Sequence, residues 1–297
     1  MPEKFNEVLK QPPAQAPGLI VCGAAEKKLL KAVEQAFNEG WVRPALVGPE
    51  HLIRPTIDEY APGLAAAEIV DAGGNENICE AACSMAEPGN CMIKGTVETS
   101  QLMRAVLHRK KDLMNGKVIS HISLLEVPYY GKLFGLSDTS VIIRPSLEQK
   151  AEIIRLGAEM MRKLGCDRPK AAVLAAVEKV NPAMPETLDA AALEEMGKRG
   201  ELGDCIVGGP VSFDLALDRV SADVKKYDGV IRGDADLMLA PDLCSGNLLG
   251  KCFNYTPGSL FAGLLLGVTI PVALTSRASS FENKLLSVKM AAFIAGK

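Results

Sequence analysis

The sequence lacks the motifs that identify several large classes of proteins. It contains no G-x-x-x-x-G-K-S/T segment and no G-x-G-x-x-G segment that opens a helix, so the usual phosphate-binding loops of nucleotide hydrolases and dinucleotide oxidoreductases are missing. The 33 lysines and arginines are scattered and the net charge is −3, which excludes the basic surface of a nucleic-acid-binding protein. Residues 1–11 lack the apolar run of a secretory signal, and no apolar tract reaches the roughly 20 residues of a membrane span. We therefore expect a cytoplasmic protein with neither a nucleic-acid partner nor a membrane partner.

The sequence also lacks any C-x-x-C motif, although it contains eight cysteines. They are dispersed through apolar surroundings, which favours reduced, buried thiols in a cytosolic protein. Cys79 and Cys83 lie one helical turn apart with Cys91 nearby, a spacing that would allow a metal site. No histidine lies close to them, however, and zinc sites usually have four ligands, so we predict no metal.

Short β-rich runs alternate with helical patterns along the chain, which is typical of an α/β fold with a largely parallel sheet. The first strand is predicted at 19–22 and the first helix at 25–38, where apolar residues recur with a helical period. A second α/β unit is predicted to begin near Pro145, with a long amphipathic helix at 147–164. The apolar tract at 260–274, which glycines and a proline interrupt, is interpreted as a buried helix followed by a buried strand.

The segment Thr275–Ser280 (TSRASS) is the strongest candidate for a functional site, because it links an apolar strand to a helix. Open α/β sheets bind ligands at the carboxyl ends of their strands, and a helix N-terminus there attracts anions. Arg277 adds a planar fork that suits phosphate oxygens, although it is equally typical of a solvated arginine beside a helix cap. Ser279-x-x-Glu282 matches a capping box, and Glu282 is also a candidate general base.

Other strand ends carry polar residues that suit an anionic ligand. Asn247 and Lys251 follow a glycine-bearing turn, and Lys94 follows another strand, ahead of a helix that Thr99 can cap. Each of them also has a simpler interpretation as a helix cap or a solvated side chain. The three histidines offer no Ser-His-Asp spacing, and His121 is interpreted as a core residue. The substrate-binding candidates are Lys94, Thr99, Arg104, Asp138, Gly209, Asn247 and Lys251.

The segment at 235–287, ADLMLAPDLCSGNLLGKCFNYTPGSLFAGLLLGVTIPVALTSRASSFENKLLS, resembles the C-terminal signature of the phosphate acetyl/butyryltransferase family. The resemblance continues upstream in AVEKVNPAMPETLDAAAL, GGPVSFDLAL, SHISLLEVPYYGKL and MIKGTVETSQLMRAVL, so it covers most of the chain. The chain length and the PSLEQKAEIIRLG segment are more similar to the butyryltransferase branch than to the acetyltransferase branch.

This resemblance implies two α/β domains with a cleft between them, a fold related to the isocitrate and isopropylmalate dehydrogenases, and usually a homodimer or higher homo-oligomer. It also implies that the last strand and helix return to the first domain. We therefore expect one domain at 1–145 plus 274–297 and a second at 146–273. The implied reaction converts acyl-CoA and phosphate into acyl phosphate and CoA on a short acyl group of the acetyl or butyryl type. Coenzyme A is then a substrate, with no bound cofactor and no metal.

The resemblance assigns roles to residues at the start of the last helix. Ser276 and Arg277 occupy the positions of a serine that contacts the CoA sulfur and an arginine that binds phosphate and the developing oxyanion. Asn283 stands where acetyl-type relatives have the carboxylate that deprotonates CoA. Because an amide cannot accept a proton, the base would be Glu282, another group or solvent. Gly250 replaces an aromatic residue that is usual in the family.

Two alternatives remain open from the sequence. One is a dehydrogenase of the isopropylmalate type that uses a metal and a nicotinamide, although its cluster of aspartate ligands and its nucleotide site are not found. The other is a non-catalytic module that binds CoA or acyl phosphate, which the presence of Asn283 favours. All three interpretations share small-molecule ligands.

Overall fold

The computed structural model describes residues 2–297, with the side chain of Lys110 excepted. Its strands are β1 (Gly18–Cys22), β2 (Arg43–Gly48), β3 (Glu68–Asp71), β4 (Cys91–Lys94), β5 (Ser120–Glu126), β6 (Phe134–Ser137), β7 (Lys170–Leu174), β8 (Ile206–Val211), β9 (Leu237–Leu239), β10 (Leu260–Leu266) and β11 (Val272–Ala273). Its helices are α1 (Phe5–Val8), α2 (Lys27–Asn38), α3 (Glu50–Tyr60), α4 (Asn75–Ser84), α5 (Thr99–His108), α6 (Lys110–Leu113), α7 (Leu147–Lys163), α8 (Pro185–Lys198), α9 (Phe213–Leu217), α10 (Arg219–Val224), α11 (Leu243–Tyr255) and α12 (Phe281–Ala295), with a 3-10 turn at Pro62–Leu64. The alternation of strands and helices confirms the predicted α/β class.

The chain divides into two units. The first unit comprises Leu9–Asn115 and Phe261–Lys297, and the second comprises the chain up to Val8 and Gly116–Leu260. None of the helices in the described part of the chain is long and apolar enough to cross a membrane.

The first unit has its strands in the order β3-β2-β1-β4-β11-β10. All neighbours are parallel except β10 and β11, which form an antiparallel pair. Helix α12 packs against α2 and β4. The apolar residues of β1 are buried, as are Leu29, Leu30 and Val33 on the inner face of α2, so the core lies between this sheet and its helices.

The second unit has its strands in the order β5-β6-β9-β7-β8, with β5 and β6 antiparallel and the other neighbours parallel. Helix α7 begins at a capping box in which Ser146 accepts from the main-chain N–H of Gln149 and the Gln149 side chain accepts from that of Ser146. Helix α7 then packs closely on β9, since a Cβ on Gly157 would lie 2.7 Å from Leu237.

The unit boundaries differ from the predicted ones at both places where the chain changes unit. The chain enters the second unit at Gly116, not near Pro145, because β6 pairs in parallel with β9 and β5 pairs with β6. It returns to the first unit at Phe261, not at 274, because β10 pairs with β11.

The predicted buried helix in the apolar tract at 260–274 is wrong. Residues 260–266 form the strand β10, and β11 follows after a turn at Gly267. A short, continuously apolar segment has no periodicity that distinguishes a buried strand from a buried helix. Pairing with β11 therefore decides its structure.

Candidate active site

Two adjacent parallel strands of the first unit form the base of the site. β11 runs parallel to β4 with Ala273 opposite Ile93, so Lys94 and the segment at 275–280 leave the same edge of the sheet. This edge is the carboxyl end of both strands, where α/β sheets bind ligands. The structure therefore brings together Lys94 and Arg277, which the sequence placed in separate clusters.

Arg277 extends toward solvent from the turn after β11, and its side chain is 61% exposed. Its Nη2 donates to the carbonyl of Thr96 (3.1 Å) and pairs with the carboxylate of Glu98 (2.5 Å). Glu98 also occupies the N-cap of α5, so a carboxylate lies where the guanidinium and a helix N-terminus meet. An exposed ion pair contributes only about 0–1 kcal/mol, so a phosphate group can take the place of this carboxylate.

Lys94 lies beneath the loop at 95–97, whose Thr96 carbonyl accepts from Arg277, and is 6% exposed. Its Nζ donates to the carbonyls of Gly95 and Val97, each at 3.1 Å. Burial is the main cause that lowers the pKa of the Lys94 amine, and the positive charges of Arg277 and Lys284 lower it further. The buried amine is therefore easier to deprotonate than an ordinary lysine.

Lys284, in α12, is a member of the site that the sequence analysis missed. It is 1% exposed, pairs with Glu26 at 3.0 Å and donates to the carbonyl of Ser276 at 3.1 Å. The helix dipole favours acidic residues near a helix N-terminus, so a lysine at this position is unusual. This unusual lysine was the one feature of the sequence that could have identified Lys284 as a site residue. The ion pair holds the Lys284 side chain, and the hydrogen bond from Lys284 to the Ser276 carbonyl fixes the turn that carries Ser276 and Arg277.

The cap of α12 differs from the predicted capping box of Ser279 and Glu282. Ser280 is the N-cap, and its Oγ accepts from the main-chain N–H of Asn283 at 3.2 Å. The prediction is one residue out of register because Ser279 and Ser280 are adjacent and both suit a cap. The hydroxyls of Thr275 and Ser279 are buried and have no hydrogen-bond partner among residues 2–297.

The two candidate bases at the start of α12 lie in different environments. Asn283 is buried, and its Oδ1 accepts from the main-chain N–H of Phe261 at 3.0 Å, which ties α12 to β10. Glu282 is exposed in the first turn of the helix. Asn283 therefore has a structural role. Glu282 remains a candidate, although within residues 2–297 no hydrogen bond orients it toward the turn at Ser276.

Asp138 and Asn247 lie together in the second unit, at the carboxyl ends of β6 and β9. Asp138 accepts from the main-chain N–H groups of residues 140, 141 and 142 (2.8, 2.9 and 3.0 Å) and from the hydroxyl of Ser120 (3.1 Å). Asn247 Nδ2 donates to the carbonyl of Thr139 at 2.9 Å. Hydrogen bonds from the protein thus occupy the Asp138 carboxylate. These bonds fix the loop at 138–142.

His121 belongs to the same buried network, as the interpretation of a core histidine requires. Its Nδ1 lies 2.5 Å from the hydroxyl of Thr139, which is also 3.2 Å from that of Ser123. At Gly246 a Cβ would lie 2.1 Å from the carbonyl of Asp138, so α11 approaches this loop too closely for any side chain.

The structure does not support the roles that the sequence suggested for Thr99 and Arg104 on α5. Helix α5 begins at Thr99, so Glu98 is the N-cap and the predicted cap by Thr99 is wrong. Arg104 is exposed and pairs with Glu76 at 3.0 Å. This exposed pair supports the simpler interpretation of Arg104 as a solvated side chain.

Gly209 and Lys251 also lie in contrasting places. A Cβ on Gly209 would meet Val173 at 2.9 Å, and its N–H donates to Glu194 at 3.0 Å, so close packing accounts for this glycine. Lys251 is exposed on α11. Beside it, a Cβ on Gly250 would be in ordinary contact with Thr139 at 3.6 Å, so this position has room for a side chain.

An open cavity of about 460 Å³ lies in the second unit at the carboxyl ends of β7 and β9. It is lined by Leu174, Ala175, Ala176, Glu186, Ala240, Pro241, Ser245, Leu248, Leu249 and Cys252. This mostly apolar lining suits an apolar group, and its residues were not predicted from the sequence to form a site.

All eight cysteines are free thiols. Cys22 and Cys79 lie 4.0 Å apart (Sγ to Sγ), and burial raises the pKa values of Cys83 and Cys91 to about 12. Within residues 2–297, no group of three or more His, Cys, Asp or Glu side chains is placed to hold a metal ion.

A model of the family described as "Phosphate acetyl/butaryl transferase" matches residues 81–292. The chain belongs to this family. The resemblance noted in the sequence is thereby confirmed, and the matched part of this family member includes Lys94, Arg277 and Lys284.

Relatives that carry these names align over most of the chain. The chain is 33% identical to the phosphate butyryltransferase of Clostridium acetobutylicum over 299 residues, which covers 100% of this chain and 99% of that protein. It is 36% identical to the phosphate acetyltransferase of Rickettsia typhi over 273 residues, or 91% of this chain and 78% of that protein. Among solved structures, a branched-chain phosphotransacylase from Enterococcus faecalis matches with a TM-score of 0.81 and 28% identity, over 94% of this chain and 99% of that chain. The family member thus shares the fold of that phosphotransacylase.

Proposed function

We propose that this enzyme exchanges coenzyme A and inorganic phosphate on a short acyl group, so that acyl-CoA and phosphate give acyl phosphate and CoA. The supporting observation is the exposed guanidinium of Arg277 beside the N-terminus of α5, where a carboxylate now occupies the position that suits a phosphate. Membership of the phosphate acetyl/butyryl transferase family favours this reaction over the dehydrogenase and over a non-catalytic binding module.

In this reaction the CoA sulfur attacks the carbonyl carbon of acyl phosphate. The carbon–sulfur bond forms, the bond from the carbonyl carbon to the phosphate oxygen breaks, and phosphate leaves with the bonding electrons. Arg277 neutralises charge on the phosphate and on the carbonyl oxygen, which is the kind of electrostatic stabilisation that enzymes use for acyl transfer. Ser276 orients the sulfur, and Lys284 holds the Ser276 backbone through its carbonyl.

Asn247 and Lys251 are proposed contacts for phosphate or carbonyl oxygens of CoA. Asp138 supports them by fixing the loop whose Thr139 carbonyl accepts from Asn247. Gly209 and Arg104 have packing and surface roles in the structure and are not included among these contacts.

We also propose that the enzyme acts in the cytoplasm as a homodimer or higher homo-oligomer. Eight free thiols fit a reducing compartment, and the family resemblance implies self-association. Light scattering on a size-exclusion column tests the oligomer, and a single species with the mass of one chain would contradict it.

The reaction is tested by phosphate-dependent release of CoA thiol, read with a thiol reagent. Acetyl-, propionyl- and butyryl-CoA are compared, and isobutyryl-CoA is included because one solved relative is named for branched chains. We expect release with at least one of them when phosphate is present and none when sulfate replaces it. Failure to release thiol from any of the four would refute the proposed function.

A further inference from the structure

The proposed reaction releases a proton from the thiol of CoA, and the residues at the start of α12 do not provide a good acceptor. The amide of Asn283 is engaged with the main-chain N–H of Phe261 and has no basic site. Glu282 is exposed to water in the first helical turn. A better proton acceptor therefore lies elsewhere on the same edge of the sheet.

Lys94 has a geometry that suits both forms of an acid–base group. Its Nζ donates to two main-chain carbonyls, those of Gly95 and Val97. A neutral amine has two N–H bonds and one lone pair, so these carbonyls use both hydrogens and leave the lone pair available. After protonation, the third N–H takes the place of the lone pair. The nitrogen thus keeps its position while a proton arrives and leaves.

The same loop connects Lys94 to the proposed phosphate-binding arginine. Thr96 lies between the two residues that accept from Lys94, and its carbonyl accepts from Arg277 at 3.1 Å. The loop at 95–97 is therefore held by Lys94 and by Arg277 together, which places the amine next to the group that binds phosphate.

The surroundings of Lys94 favour its neutral form. The charged and titratable groups around it are Arg277, Lys284, Glu26, Glu98, Cys22 and Cys79. Glu26 is engaged by Lys284 and Glu98 by Arg277, whereas Lys94 donates to uncharged carbonyls. Burial and the two neighbouring cations lower the pKa of Lys94, so a larger fraction is neutral near pH 7 than for an exposed lysine.

We propose that Lys94 takes the thiol proton of CoA as the sulfur attacks acyl phosphate, and returns it to the departing sulfur in the reverse reaction. This inference rests on the proposed function. When CoA attacks acyl phosphate, the S–H bond breaks, its electron pair forms the bond to the carbonyl carbon, and Lys94 becomes an ammonium ion. Phosphate leaves with the electrons of the carbon–oxygen bond, and Lys94 loses its proton to solvent before the next turnover.

The first test compares Lys94→Arg with the unaltered enzyme over a range of pH. Arginine keeps the positive charge and the donors but cannot act as a base. In the direction in which CoA attacks acyl phosphate, read as thioester formation, we expect kcat near pH 7 to fall by about 10²–10⁴-fold, the usual contribution of a general base. The loss should shrink as the pH passes the pKa of a free thiol, about 8.5, because the thiolate then forms without help. Lys289→Arg is the matched control, since Lys289 lies on α12, pairs with Glu39 and makes no hydrogen bond with the loop at 95–97 in the described structure.

The second test is rescue of Lys94→Ala by methylamine or ethylamine. An added amine can replace a missing base but cannot replace a structural tether to the loop. We expect kcat to rise with amine concentration, and to rise less with the same concentration of a tetramethylammonium salt, which has the charge but no lone pair.

A third measurement uses the unaltered enzyme, so it does not depend on the folding of variants. Trace acetylation over a range of pH, read by mass spectrometry, gives the pKa and accessibility of Lys94. We expect a pKa below the ordinary 10.4 and protection by added CoA.

The outcomes distinguish the two proposals. If the unaltered enzyme releases no thiol from acyl-CoA, the function itself fails. If it is active but Lys94→Arg loses the same factor at every pH, or amines do not rescue Lys94→Ala, Lys94 only supports the loop and the inference is overturned. The inference would also be overturned by a near-normal kcat in Lys94→Arg near pH 7, by loss of the pH dependence in Glu282→Gln, or by an amine that no acetylating reagent reaches.

Discussion

Replacing Lys284 by methionine is expected to destabilise the first unit by about 3 kcal/mol. Methionine fills a similar volume but leaves Glu26 without its partner, and removing one member of a buried ion pair costs about 3–5 kcal/mol. We take the lower end of this free-energy range because the Glu26 side chain is 19% exposed and water can hydrate it in part, whereas the Lys284 side chain is only 1% exposed. The contact with the Ser276 carbonyl is lost at the same time.

The stability change can be measured with a probe that belongs to this unit. Trp41 is the single tryptophan of the chain and is buried in the first unit, so its fluorescence during urea unfolding reports on that unit. The double variant Glu26→Gln with Lys284→Met removes both charges, and we expect most of the stability to return. We expect kcat to be lower than in the unaltered enzyme in both the single and the double variant, because neither has the lysine that holds the carbonyl of Ser276. A single variant less than about 1 kcal/mol below the unaltered protein, or a double variant with full activity, would refute the positioning role.

Three further outcomes follow from the site. Arg277→Ala should lower kcat by about 10²–10³-fold, the scale of a lost oxyanion donor, and near-normal turnover in the thiol-release assay would reject its role. Glu98→Gln should lower the KM for phosphate a few-fold, because Arg277 is freed from a competing carboxylate, and the effect should fade at high salt; a raised KM would contradict this. Gly246→Ala should destabilise the second unit by about 1–3 kcal/mol, since the Cβ would meet the carbonyl of Asp138, and a thermal unfolding midpoint equal to that of the unaltered protein would show that the loop yields.

Local sequence signals predicted much of the fold. Periodic apolar residues indicated α2 and α7, and the apolar run at 19–22 indicated β1. Signals of this kind failed where pairing with distant strands decides the outcome. The predicted change of domain near Pro145 placed β5 and β6 in the wrong unit, because β5 pairs with β6, and the next partner of β6 is β9, about a hundred residues further along the chain.

The candidate site shows the same division between local and distant information. The motif at 275–280 was identifiable because a strand end, an arginine and a helix start are adjacent in sequence. The pair of Lys284 and Glu26 could not be identified from the sequence, because 258 residues separate them in the chain and neither belongs to a motif. Convergence of Lys94 on Arg277 depends on the parallel pairing of β4 with β11, which no local pattern specifies.

The charges at this sheet edge give Lys94 a particular importance. Arg277 and Lys284 are each matched by a carboxylate, Glu98 and Glu26, so these four side chains sum to zero. The protonation state of Lys94 therefore sets the net charge of the group. Under the proposed function, a phosphate bound to Arg277 would add negative charge beside the amine and so raise the pKa of Lys94 relative to the free enzyme. When phosphate attacks acyl-CoA, this shift would favour the ammonium form, which can return a proton to sulfur. When CoA attacks acyl phosphate, the neutral form is needed, and the burial of Lys94 and the charge of Lys284 oppose the shift.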